Sequence, residues 1–432
     1  SSPFYHPGCR SHRRLQRLFC SETEMLQWLS RQFHKDTDMA LADLILNITE
    51  YGSEAVFDGL DWKSRKIIES YKWCLESLYT NEVIAENENI SLRKQETLKP
   101  DFLLFAPETS SLVCVELKNE RNATRQAGTE LGAYIGGIRS QLPFFSEGEI
   151  VFVIISTSWP TLLKHYIANE IIWLNRHIIC LEPTIDDEEN EGLRILDLSE
   201  IYSNKYDILI GEKHLGGYHI ALYDYKHELY TKEKLLRNVL QLMANKGEGL
   251  HGHGFAFLWK NSVKQSSAPY IITIVDISSF SLIDNHTLDA IHNSKMMEKY
   301  QYIIDEYNPH SQGQSIDSLY TFVRNIIKDI CSPSIEHTIT WDILVKEMDE
   351  QNETIIAYVS WGIFREIFTE KLIKNVHLED FDVEMDSPVI GFDSIYEIVD
   401  RNYELIQYYR ELEYSESDIR KYLLNMDSHP HF

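Results

Sequence analysis

Paired cysteines are missing from this sequence. Its six cysteines (Cys9, Cys20, Cys74, Cys114, Cys180, Cys331) stand singly, with no CxxC among them. That excludes a zinc knuckle or a redox dithiol. Cys114 and Cys180 fall in apolar, strand-like runs and read as buried thiols, which suits a reducing cytoplasm. Long apolar runs are missing too. Stretches such as EIVFVIIS at 149–156 are far short of the roughly 20 residues that span a bilayer. No N-terminal segment joins a basic stretch to an apolar one, so neither a membrane partner nor secretion is expected. Walker spacing is absent, and no Ser-His-Asp or Cys-His constellation emerges from spacing. Positive charge is scarce: 41 Lys and Arg face 67 Asp and Glu, a net charge of −26. Such a chain does not coat nucleic acid along its whole surface.

What the 432 residues do contain is unevenly distributed. Residues 1–54 carry 6 basic against 7 acidic side chains, residues 55–185 carry 13 against 17, and residues 186–432 carry 22 against 43. A polyanion is therefore expected to approach the first half. The acidic second half suits protein contacts, self-association or autoinhibition. Apolar periodicity predicts helices in the N-terminal region (1–54, with MALADLILNITEYG at 39–52) and over 60–80. A polar loop is expected after residue 80, then a strand in ISLRKQ (90–95), a hairpin at 101–118, and a helix over 123–140. The strand at 149–156, a helix at 161–175 and a strand at 176–183 follow. The order predicts an α/β core, a central mixed sheet flanked by helices, over 55–200. An α/β accessory domain is expected over 201–285, with strands in YDILIGEK, GGYHIALYDYK, GFAFLWK and YIITIVDIS. A mainly helical, acidic region follows over 286–432, with helices expected in SIYEIVDRNYELIQYYRELE (394–413) and ESDIRKYLLNM (416–426). The four glycines in 123–140 require close packing there, since an interior Gly costs a helix about 0.5–1 kcal/mol relative to Ala.

Residues 99–120 read KPDFLLFAPETSSLVCVELKNE. If 101–105 and 112–118 pair around the loop 106–111, a symmetric register sets Asp101 opposite Glu116, Leu103 opposite Cys114 and Phe105 opposite Leu112. Lys118 shares the Glu116 face by alternation. Both faces are otherwise apolar, so the hairpin is central and covered. Carboxylates opposed across a ladder lie about 4.5–5.5 Å apart at Cβ and repel, and burial makes this worse. A divalent cation removes the conflict; Mg²⁺ takes hard oxygen ligands and leaves room for water and phosphate oxygens. A lysine alongside can orient a metal-bound water.

The pattern Pro100-Asp101 followed by Glu116-Leu117-Lys118 at the end of the next strand resembles the PD-(D/E)xK nuclease superfamily. The resemblance covers roughly residues 60–185. It implies a restriction-endonuclease-like core, phosphodiester hydrolysis and dependence on Mg²⁺ or Mn²⁺. It implies Asp101 and Glu116 as metal ligands with the Leu117 carbonyl, and Lys118 as the residue that positions or activates the attacking water. One further acid is expected from the preceding helix, Glu69 or Glu76. The helix after the lysine is expected to contribute through the stripe Gln126, Glu130 and Tyr134. Arg121 and Arg125 are expected to contact phosphates. DNA is favoured over RNA as the nucleic-acid partner. Chains of this build resemble prokaryotic defence nucleases.

Other candidates stand further back. Asp207, Asp224 and Lys226 echo the same arrangement without its proline. Glu248, His251 and His253 gather in a Gly-rich stretch, and Asp276 ends an apolar strand. The alternative to an active nuclease is an inactive nuclease fold, with a Glu116–Lys118–Asp101 salt bridge, used as a protein-interaction or nucleotide-sensing module.

Overall fold

The computed structural model describes residues 19, 21–35, 39–52, 62–91, 97–119, 124–186, 189–197, 210–261, 266–278, 294–306, 313–341, 343–344, 346, 354–376 and 384–399, with backbone alone at 124–127. The chain divides into two units, residues 1–205 and 206–432. Both are mixed assemblies of helix and sheet.

The first unit opens with α1 (Glu22–Lys35), which buries Met25, Trp28, Leu29 and Phe33 at helical spacing. The Phe33 ring lies 5.5 Å from that of Phe102. Next comes α2 (Trp62–Glu76), burying Ile67, Ile68, Tyr71, Cys74 and Leu75. Strands β1 (Glu82–Glu86), β2 (Phe102–Ala106) and β3 (Ser111–Lys118) lead to α3 (Thr124–Gln141), β4 (Ile150–Ser156) and α4 (Thr161–Ala168). β5 (Ile178–Ile185) and β6 (Glu191–Ile195) complete a six-stranded sheet in the order β1-β2-β3-β4-β5-β6. β3, β4 and β5 run parallel, so α3 and α4 are the crossovers that parallel strands require. The outer pairs are antiparallel. Every residue of β4 is buried, as expected of a strand covered on both faces. Ser70 ties α2 to β5: its hydroxyl accepts the Ile178 amide at 2.9 Å.

In the second unit β7 (Leu215–Tyr223), α5 (Glu233–Gly249), β8 (Gly254–Lys260) and β9 (Tyr270–Ile277) are followed by α6 (Ser294–Glu306) and α7 (Gln314–Ile327). Then come β10 (Ser332–Thr340), β11 (Ile355–Trp361), α8 (Ile363–Val376) and α9 (Pro388–Ile398). The five strands form an antiparallel sheet in the order β10-β7-β9-β8-β11. Leu236, Val239, Leu240 and Met243 of α5 and Leu319 and Val323 of α7 share one core with Ile220, Leu258 and Ile272. Aromatic contacts hold α8 and α9 against β8 and β11: Phe364 meets Phe255 at 5.1 Å, Phe368 meets Tyr358 at 4.9 Å and Phe392 meets Phe257 at 5.0 Å.

Several expectations change. The four expected regions fold as two units, because α1 packs into the first core and β10 and β11 complete the second sheet. Residues 39–52 form short 3-10 turns at 41–44 and 48–50 in place of a helix; Ile45 bridges to Leu193 at the sheet edge instead. The first strand is EVIAE, within the stretch expected as a loop, while residues 92–95 of ISLRKQ lie outside the described residues, as do 206–209 of YDILIGEK and the helix expected over 416–426. The helix expected from 394 begins at Pro388, the first helical position, where the absent N–H costs nothing. In α3 the glycines do not all serve close packing. A Cβ at Gly137 would meet Leu98 at 2.6 Å, whereas Gly132 and Gly136 face open space.

Candidate functional site

The hairpin holds the expected register. Phe102 pairs with Val115, Leu103 with Cys114 and Phe105 with Leu112. Asp101 sits one residue before this ladder, and its Oδ2 accepts the Leu117 amide at 2.7 Å. Glu116 is buried at 4% relative exposure and Lys118 at 6%. The Lys118 ammonium donates to Glu116 Oε1 at 2.5 Å and to Glu130 Oε2 at 2.9 Å. The Tyr134 hydroxyl lies 3.1 Å from Glu116 Oε2 and 3.0 Å from the Lys99 carbonyl, and its single proton serves one of them at a time. Glu130 and Tyr134 are one turn apart on α3 and reach β3 together. The cluster lies where β3 ends, the strand end at which open α/β sheets gather ligands.

Electrostatics mark it as a frustrated site. Burial pushes the Asp101 carboxyl from its ordinary 3.8 up to about 6, against the Leu117 amide and Lys118, while Glu22 and Glu130 add to the rise. Burial, then the Asp101 charge, raises Glu116 also. Burial opposes the charge on Lys118, yet Glu116 and Glu130 outweigh it and the ammonium is held more firmly than usual. Lys118 is therefore a fixed cation here and not a proton acceptor. Burial, followed by the charges of Glu116 and Glu130, raises Tyr134, which stays a neutral phenol.

The structure does not bring the expected upstream acids to this cluster. Glu69 and Glu76 are exposed on α2. The upstream acid that acts on Asp101, alongside Glu130 of α3, is Glu22 at the first position of α1. Its Oε1 accepts the Asn119 amide at 3.2 Å, and Asn119 Oδ1 in turn accepts the Thr157 hydroxyl at 2.5 Å. Glu22 was invisible to sequence reasoning: it lies 97 residues from Asn119, and its only local signal is that of an acid in a helix's first turn. Arg121 lies outside the described residues, as do the side chains of Arg125 and Gln126. Among the described residues, no three His, Cys, Asp or Glu side chains converge as a preformed metal cage.

The weaker candidates are absorbed by the backbone. Asp224 accepts the amides of Lys226 at 3.1 Å and Leu229 at 2.6 Å, which makes it a turn cap. Asp207 lies outside the described residues. Glu248 Oε2 accepts the Gly362 amide at 2.9 Å and His253 Nδ1 accepts the Ile363 amide at 3.1 Å; both cap the start of α8. Asp276 Oδ1 accepts the Ile277 amide at 2.9 Å. His251 is exposed.

Fold and site together define an α/β protein with a mixed six-stranded sheet, a separate antiparallel sheet flanked by helices, and an acid–lysine cluster at a strand end. The chain matches no family model, no curated protein and no solved structure. Among the described residues, no helix is long and apolar enough to cross a membrane.

Proposed function

We propose that this protein is a metal-dependent nuclease with a restriction-endonuclease-like core in its first unit. One observation carries the reading: Asp101 and Glu116 arrive from adjacent strands at one strand end, with the Lys118 ammonium beside them. The donor set suits Mg²⁺ or Mn²⁺. Asp101 spends one oxygen on Leu117, and Oδ1 accepts no hydrogen bond from the described residues. Mg²⁺ needs only one or two carboxylates, because waters and substrate phosphate complete its shell. Asp101, Glu116 and the Leu117 carbonyl would hold the ion, which supplies charge stabilisation at phosphorus and an acidified water. Lys118 would donate hydrogen bonds to that water or to a phosphate oxygen, its ammonium fixed by Glu130. Tyr134 would keep Glu116 oriented. DNA is the favoured substrate. The acidic second half, with 43 acids against 22 bases over residues 186–432, would repel the polyanion and serve a protein partner, self-association or regulation, in a setting such as antiviral defence in the cytoplasm.

A second reading is favoured by the Lys118 contacts themselves. An ammonium locked between Glu116 and Glu130 with 7% side-chain exposure also fits an inactive nuclease fold retained for binding. Degradation of plasmid and single-stranded DNA with Mg²⁺ or Mn²⁺, by wild type and by Lys118→Ala, separates the two. Cleavage lost in the variant with its circular dichroism intact supports the nuclease. Equal cleavage by the variant refutes the assignment, and an inert wild type leaves the binding role.

A further inference from the structure

Both oxygens of the Glu116 carboxylate already face hydrogen-bond donors. Lys118 Nζ is 2.5 Å from Oε1 and the Tyr134 hydroxyl is 3.1 Å from Oε2. A divalent cation cannot approach Oε1 while an ammonium sits on it, because the two positive charges repel at contact range. Loading Glu116 through Oε1 therefore requires the ammonium to leave that oxygen. A buried ammonium released without another anion is strongly disfavoured. Among the described residues, the other anion in ion-pair contact with Nζ is Glu130 Oε2, 2.9 Å away, on a side chain 33% exposed against 7% for Lys118.

We infer that Glu130 is a positioning residue that takes over the Lys118 ammonium when Glu116 turns to a divalent cation. The inference rests on the nuclease reading and deepens it. Lys118 competes with the cation for Glu116, and Glu130 relieves that competition while keeping the ammonium beside the reacting phosphate. Tyr134 cannot replace Glu130, since a neutral phenol offers no charge to the ammonium. Glu130 does not reach the cation in this scheme; it acts through Lys118 alone. That distinguishes it from a ligand and from a general negative field, either of which would attract the ion whether or not the lysine were present.

Calorimetric titration of the full chain with Mn²⁺ tests this without any turnover. Glu130→Gln is expected to weaken Mn²⁺ binding by about tenfold or more, the usual effect of removing a partner of a metal ligand. Lys118→Met is expected to bind Mn²⁺ more tightly than wild type. In the Lys118→Met background, Glu130→Gln is expected to change affinity by no more than about twofold, as for uncoupled sites. An equal loss from Glu130→Gln in both backgrounds overturns the inference and makes Glu130 a ligand or a plain charge. Lys118→Met binding no tighter than wild type overturns it as well. Asp101→Asn is the control for the underlying reading: if it binds Mn²⁺ like wild type, or if neither wild type nor Lys118→Met binds at all, the metal site itself is lost and the inference with it. Lys118→Gln replaces Lys118→Met should the latter fail to fold by circular dichroism.

Discussion

The Asp101 carboxylate and the Leu117 amide meet at 2.7 Å across the open end of the hairpin. This single contact gives Asp101 two roles. It closes the last rung of the β2–β3 pair, and it aims the carboxylate along the edge where Glu116 and Lys118 lie. Asparagine keeps the acceptor and removes the charge, so the roles can be separated. At pH 4, where the folded carboxyl is protonated, Asp101→Asn is expected to unfold within about 1 kcal/mol of wild type, the scale of one neutral hydrogen bond, and at neutral pH to lose metal-dependent cleavage by about 100-fold or more. Asp101→Ala should lose both. Urea unfolding and a plasmid-nicking assay measure them; an Asp101→Asn protein that cleaves normally removes Asp101 from the site.

Buried carboxylates make stability depend on pH in a direction opposite to that of salt-bridged ones. Asp101 titrates near 6 in the fold against its ordinary 3.8, so the folded state holds the proton more tightly than the unfolded chain. Stability from this group is greatest below its unfolded pKa and declines as pH rises towards 6. The difference between wild type and Asp101→Asn should therefore shift against wild type from pH 4 to 6, by less than about 1.4 kcal/mol per pH unit. Mg²⁺ should recover the loss above pH 6. A difference independent of pH contradicts the burial of this carboxyl.

Glu22 raises Asp101 by its charge, while its Oε1 holds the Asn119 amide. Glu22→Gln keeps an acceptor and deletes the charge. The Asp101 pKa, followed by carbon NMR of its carboxyl, is expected to fall. An unmoved titration would show that α1 does not approach the cluster.

In the second unit Trp361 is fully buried and lies over the glycine-rich turn, where a Cβ at Gly254 would come 2.7 Å from its ring and 2.3 Å from the Val275 carbonyl. Trp361→Ala is expected to cost about 3–5 kcal/mol, and Gly254→Ala to destabilise through backbone contact. Thermal unfolding checks both; tolerance of Gly254→Ala would mean that the ladder there can shift.

Local pattern carried much of the first unit. Alternation in FLLFA and SLVCVELK determines which residues share a face, and a short loop between two such runs leaves few registers, so the pairing of Leu103 with Cys114 was already written in the sequence. The uniformly apolar IVFVIIS could only be an interior strand. Tertiary structure alone decided the rest. Glu69 and Glu76 carry the same chemistry as Glu22, but only packing determines that α1 delivers its first residue to Asn119 while α2 turns its acids to water. Whether Lys118 faces a cation, Glu116 or Glu130 depends on how α3 docks, since Glu130 is held by a contact 12 residues away in the chain and not by its neighbours. Strand order in the second sheet, with β10 beside β7 and β11 beside β8, has no local signal. Pairing between distant strands is chosen by the shared burial of their apolar faces, and that is a property of the folded chain.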